Sequence, residues 1–178
     1  MTSGRVYLIG AGPGDPGLLT LKGKWCLETA DVVIYDYLAN PALLDFAPPG
    51  AEKICVGKPH SEQHLSQDQT NALLAEKTAA GQQVVRLKGG DPYIFGRGGE
   101  EAAFLSQQQI PFEVVPGITS GFAAAAYAGI PLTHRDVTTS LALLTGHERP
   151  ERKLSSLDWE KLAVGAGTLV FYMGMTNL

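Results

Sequence analysis

The placement of glycine restricts this chain more than any other feature. Short β-branched runs recur along it, and three of them end in glycine-rich loops. Val6–Ile9 runs into Gly10-Ala-Gly12-Pro-Gly14-Asp15-Pro16-Gly17, Gln83–Leu87 into Lys88-Gly89-Gly90-Asp91-Pro92, and Phe112–Val115 into Pro116-Gly117. Further strands are expected at Asp31–Tyr35 and Lys53–Val56. Between the strands the spacing predicts helices: Leu18–Ala30 with an apolar face of Leu18, Leu21, Trp25 and Leu27, and a brief one over Pro41–Phe46. A third runs from Gln67 to about Ala80, with Ser66 as N-cap and Gly81 as stop, and a fourth covers Arg97–Gln108. Strands alternating with helices mean βαβ units and a mainly parallel sheet, whose ligands sit beyond the carboxyl ends of the strands. The glycine clusters fall there.

After Gly117 the texture changes. Ile118–Ala128 reads as an alanine-rich, closely packed helix ended by Gly129-Ile-Pro131. Leu141–Leu144 and Thr168–Met173 read as strands separated by a polar stretch with Pro150 and many charges. Two strands are too few for a self-standing sheet domain. The expected architecture is therefore two α/β domains, 1–116 and 117–178, with a cleft between them and the second domain incomplete.

Composition excludes several classes. The 178 residues carry 14 Lys and Arg against 18 Asp and Glu, a net charge of −4, which argues against a nucleic-acid partner. No apolar run approaches the length of a membrane span, and the N-terminus enters a strand without an apolar signal segment, so a cytoplasmic protein is expected. Cys26 and Cys55, the only cysteines, lack metal-like spacing and read as reduced thiols. His60 and His64 are four apart, but nothing is placed to complete a metal site with them, and none is expected.

The first loop invites a dinucleotide reading, with Asp36 at the end of strand two in the place of a ribose-binding acid. Asp15, however, stands where that pattern needs a small residue, and its carboxylate would repel a diphosphate. Taken alone, the loop is compatible with a nicotinamide enzyme or with tight turns and nothing more. The second loop repeats the Gly-Asp-Pro of positions 14–16 at positions 90–92. Two such turns offer open backbone groups and carboxylates with little bulk, a surface suited to a neutral or cationic ligand. S-adenosylmethionine, a sulfonium without phosphate, fits.

The stretches Val6–Leu21, Val84–Glu101 and Val114–Ser120, with Ala128–Asp136 and Leu169–Gly174, resemble the tetrapyrrole methylase family in order and over nearly the whole chain. The resemblance implies S-adenosylmethionine-dependent C-methylation of uroporphyrinogen III to precorrin-2 through precorrin-1, leading to sirohaem and cobalamin, with S-adenosylhomocysteine released. It implies that Pro13, Gly89, Gly90, Asp91, Ile94, Thr119, Ser120 and Met173 hold the cofactor. Many relatives have alanine where Ser120 stands. It further implies Asp36 as proton acceptor, Lys58 as proton donor, and a homodimer. A carboxylate suits the first role, since C-methylation of a pyrrole leaves positive charge and a proton to be lost. The substrate is a polycarboxylate, so Arg97, His134 and Arg135 are candidates to bind it. Surface pairing of Arg97 with Glu100 or Glu101 is the competing reading. Other expectations compete with this function: methylation of a later corrin, of diphthamide or of ribosomal RNA, or a non-catalytic binding fragment.

Overall fold

A computed structural model of the chain describes residues 4–57, 65–147 and 157–175. The chain divides into two compact units, Met1–Ser120 and Gly121–Leu178.

In the first unit, β1 (Arg5–Gly10), β2 (Val32–Asp36), β3 (Glu52–Gly57), β4 (Gln83–Lys88) and β5 (Phe112–Val115) form one sheet. All pairings are parallel and the strand order is β3-β2-β4-β1-β5. The expected parallel sheet is thus present. Its strands are apolar on both faces because helices cover both. On one side α1 (Leu21–Glu28) and a 3-10 helix at Pro41–Phe46 bring Cys26, Leu27 and Leu43 onto Ile9, Val33 and Leu87. On the other, α2 (Gln67–Ala79) and α3 (Gly98–Gln107) bring Leu74 and Leu105 onto Leu8, Ile34 and Val84. Each fully buried leucine or isoleucine contributes about 1.5–3 kcal/mol. The strand ends are therefore held in a stiff frame.

The local signals explain the helix limits. The Ser66 hydroxyl accepts from Gln69 N and the Gln69 side chain accepts from Ser66 N, so a reciprocal capping box starts α2. Gly81 follows that helix with φ +81°, a left-handed stop.

The expected apolar face of the first helix needs correction. Leu18 lies in a separate 3-10 turn, Pro16–Leu18, and Thr20 is the N-cap of α1. Capping sets the start of the helix and therefore its rotation. The buried face is Gly23, Cys26 and Leu27, while Leu21 and Trp25 are exposed.

The second unit pairs β6 (Leu141–Thr145) with β7 (Thr168–Tyr172) in parallel. Helix α4 (Ser120–Tyr127) crosses the unit boundary. Its Gly121 lies against Val170 and Tyr172, where an added Cβ would come within 2.5 Å of the Tyr172 hydroxyl. Only Ala123 of α4 is buried, so the closely packed helix expected there is packed along one line only. The polar stretch before β7 contains α5 (Trp159–Gly165), whose N-cap Asp158 accepts from Lys161 N. Trp159 stacks on Phe171 with ring centroids 5.9 Å apart.

Candidate active site

The loops after β1 and β4 leave adjacent strands toward opposite faces of the sheet, one into α1 and the other into α3. Such a divergence opens a crevice at the strand ends. Backbone hydrogen bonds join the two loops at this point. Gly12 N donates to Gly90 O (3.1 Å) and Gly90 N to Gly12 O (2.8 Å), while Ala11 N donates to Lys88 O (2.7 Å). The end of β5 closes against both loops. A Cβ on Gly117 would lie 2.3 Å from Gly90 O, and one on Gly10 would lie 2.5 Å from Gly117 Cα. No side chain fits at either position, so the three strand ends touch through bare backbone.

Asp91 organises this floor. Its Oδ1 accepts from Tyr93 N (2.8 Å) and Ile94 N (3.2 Å), and its Oδ2 accepts from Gly117 N (3.0 Å). Asp15 Oδ1 likewise accepts from Gly17 N. This corrects the charge argument made from the two Gly-Asp-Pro turns. Both carboxylates fix backbone N–H groups, which explains aspartate at those positions without any cationic ligand. Of the residues that the resemblance assigns to the cofactor, Gly90, Asp91, Thr119 and Ser120 come together here, since a Cβ on Gly90 would lie 3.8 Å from Thr119 Cα. Gly89 abuts Leu38. Pro13 lies in the first loop, tied down by Asn40 Nδ2 donating to Gly14 O (2.6 Å). Ile94 is exposed beside Asp91.

The face of the sheet that carries α2 and α3 holds a cavity of about 250 Å³, lined by Asp36, Tyr37, Arg86, Lys88, Gly96 and Arg97 among others. Asp36 reaches it because the β2–β3 register slips between Tyr35 and Asp36, and such irregularities re-aim a side chain. Its Oδ1 accepts from Arg86 Nη2 at 2.5 Å. Sequence reasoning missed what lies behind it. Arg86 Nε donates to Glu101 Oε1 (3.0 Å), Lys88 Nζ donates to the same oxygen (3.0 Å), and so does Gln67 Nε2 (3.2 Å). Glu101 is fully buried, and its Oε2 has no hydrogen-bond partner among the described residues.

A signal for this network exists in the sequence. In Val84-Val85-Arg86-Leu87-Lys88 two charges fall on one face of a run that must be buried on both faces. Such charges need an acid from the covering layer. Burial alone would disfavour the Arg86 charge, but Glu101 and Asp36 outweigh it and raise its pKa. The Lys88 pKa is lowered, by burial first and by Arg86 next, against the pull of Glu101 and Asp36.

A lysine whose folded pKa lies below its unfolded value carries its full penalty when charged in both states. The penalty disappears as pH rises through the folded pKa toward 10.5. The stability of the wild type relative to Lys88→Met is therefore expected to increase across that interval, in denaturant unfolding at stepped pH. A pH-independent difference would contradict the burial of this charge.

Arg97 caps α3 with φ +58° and forms a two-pronged pair with Glu100 (2.9 and 2.7 Å) while lining the cavity. Its surface pairing and its place at the cavity wall therefore coexist. In the second unit, His134 pairs with Thr138 in a small backbone bridge, with exposed Arg135 in the turn between them. Met173, directly after β7, is half exposed with φ +55°. Lys58, His60 and His64 lie outside the described residues. Among the described residues there is no cluster of three metal-ligating side chains, and no helix is long and apolar enough to cross a membrane.

The model of the Tetrapyrrole (Corrin/Porphyrin) Methylases matches residues 5–178. The chain belongs to this family. Among its fellow tetrapyrrole methylases, a uroporphyrinogen-III C-methyltransferase of Bacillus subtilis is 56% identical over 178 residues, all of this chain and 37% of the relative. An S-adenosyl-L-methionine-dependent uroporphyrinogen III methyltransferase of Methanosarcina barkeri is 54% identical over 98% of this chain and 69% of its own length. The chain thus spans from about a third to about two thirds of these relatives. A solved uroporphyrin-III C-methyltransferase of Thermus thermophilus, complexed with S-adenyl homocysteine, is 45% identical. It matches 97% of this chain and 71% of its own with a TM-score of 0.79.

Proposed function

We propose that this tetrapyrrole methylase transfers methyl groups from S-adenosylmethionine to uroporphyrinogen III, giving precorrin-2 through precorrin-1. The observation that carries the reading is the backbone floor where β1, β4 and β5 end, in a chain more than half identical to proteins named for that reaction. The floor fits the cofactor physically. At Gly10 and Gly117 the strand ends approach too closely for any Cβ, so the surface left for a ligand without phosphate is main chain free of side-chain bulk.

Gly89, Gly90, Asp91, Thr119 and Ser120 would hold the cofactor there, with Pro13 and Ile94 at the rim, and the resemblance also assigns Met173 to the cofactor. Bound, the cofactor supplies an electrophilic methyl group on a sulfonium. Methyl transfer to a fully substituted pyrrole carbon leaves a cationic macrocycle, and Asp36 accepts the proton that the macrocycle loses elsewhere to become neutral. Lys58 is the proton donor that the resemblance implies, and Arg97, His134 and Arg135 are the candidates to meet substrate carboxylates. The resemblance supports a homodimer feeding sirohaem or cobalamin synthesis. A siroheme synthase of Zymomonas mobilis, 53% identical over 98% of this chain, favours the sirohaem branch.

The test is transfer of labelled methyl from S-adenosylmethionine into uroporphyrinogen III. Asp36→Asn is expected to lower turnover by about 10²–10⁴-fold, the usual contribution of a positioned general base. Wild-type turnover in that variant would remove Asp36 from the mechanism.

A further inference from the structure

We propose that Glu101 is a positioning residue that, through Arg86, fixes the Asp36 carboxylate at the wall of the cavity. The inference rests on the reading of Asp36 as proton acceptor. It starts from the shape of the guanidinium. Arg86 lies between two carboxylates on different elements, with Nε on Glu101 of α3 and Nη2 on Asp36 of β2. The group is planar and rigid, so fixing Nε sets the direction of Nη2. The remaining nitrogen, Nη1, makes only long contacts among the described residues, to Ile34 O (3.5 Å) and Leu87 O (3.4 Å). Asp36 is the member reachable from the cavity, with 27% of its side chain exposed, whereas Arg86 and Glu101 are 5% and 0% exposed.

Glu101 is itself held from several directions. It sits in the first turn of α3, whose start is locked to the Gly-Asp-Pro loop by Gly98 N donating to Pro92 O (2.9 Å). A Cβ on Gly98 would come within 2.4 Å of that oxygen. The loop of the proposed cofactor floor and the anchor of Asp36 are thus parts of one rigid turn. Three donors converge on Glu101 Oε1 while Oε2 has no partner among the described residues, an expensive arrangement for a fully buried acid. Well-packed apolar residues commonly stabilise as much or more, so cohesion alone does not account for the network.

Two readouts test this. The first needs no turnover: the Lys88 ammonium, followed by nitrogen-detected NMR. Among the described residues, the charged groups facing it are Arg86 on β4, Glu101 and Arg97 at the start of α3, and Asp36 on β2, while α2 presents neutral Gln67 and Thr70. Removing the Glu101 charge in Glu101→Gln is expected to move the Lys88 titration further down. The second is a kinetic cycle. Glu101→Gln is expected to lower kcat by about ten- to a hundredfold with KM values near wild type, as displacement of a reacting group does. In an Asp36→Asn background it should lower kcat no further. Lys88→Met/Glu101→Gln, which keeps the buried charge balanced, should show the same kcat loss if the single variant folds poorly.

An unmoved Lys88 titration, a KM effect in place of a kcat effect, or equal losses in both backgrounds would each overturn the proposal. Full turnover in Asp36→Asn would instead remove the reading of Asp36 on which it rests. Absence of turnover in the wild-type chain would count against the methyl-transfer reading and leave the titration to decide the network.

Discussion

Glu101→Leu is expected to destabilise the first unit by about 3–5 kcal/mol, the cost of leaving a buried ion network without one partner. Arg86 keeps Asp36 in this variant, but Lys88 loses the only acceptor its Nζ has among the described contacts. At a chain of this size that corresponds to a fall of roughly 10 °C in the unfolding midpoint. The effect should be specific to unpaired charge. Lys88→Met/Glu101→Leu removes the stranded ammonium along with the carboxylate and is expected to recover most of the loss. Thermal and urea unfolding of the three proteins measures this. A loss below about 1 kcal/mol in Glu101→Leu would mean that water reaches Lys88 and that the network is not buried in solution.

Gly117→Ala is expected to damage the strand-end floor through sterics alone. The added methyl would lie 2.3 Å from Gly90 O and 2.7 Å from Gly10 Cα, both main-chain atoms that cannot rotate away. Overpacking of this kind costs about 1–3 kcal/mol. The strain falls on the backbone pairs that hold the first and second glycine loops together, and on the bond from Gly117 N to Asp91. Cofactor affinity is therefore expected to fall by about tenfold or more, since a distortion worth about 1.4 kcal/mol already gives that factor. Gly50→Ala is the control, because a Cβ there meets nothing within 4 Å and the backbone is not left-handed. Equal stability and equal binding in the two variants would contradict the account of the floor.

Much of this architecture is legible in the chain because the responsible signals are local. Val6–Ile9, Gln83–Leu87 and Phe112–Val115 are β-branched runs ended by glycine, and Ser66 with Gln69 is a capping box readable from spacing alone. The rotation of α1 is less legible. Leu21 and Trp25 fit a helical stripe, yet Thr20 caps the helix and turns them outward. α5 is masked by its charges, because the contact of Trp159 with Phe171 is tertiary.

The least legible part is the ion network. Asp36, Arg86 and Glu101 are far apart in sequence, and only the pairing of β2 with β4 and the packing of α3 brings them together. Asp15 and Asp91 teach the complementary lesson. Their charge suggested a cationic ligand, while their bonds show them holding backbone N–H groups. The cofactor reading therefore rests on the bare floor and the relatives, not on those two carboxylates.

The most direct test of the central claim is calorimetric titration of this chain with S-adenosylhomocysteine. Saturable binding at one site per chain is expected, weakened by Gly117→Ala and unaffected by Gly50→Ala. No heat of binding at millimolar ligand would contradict it.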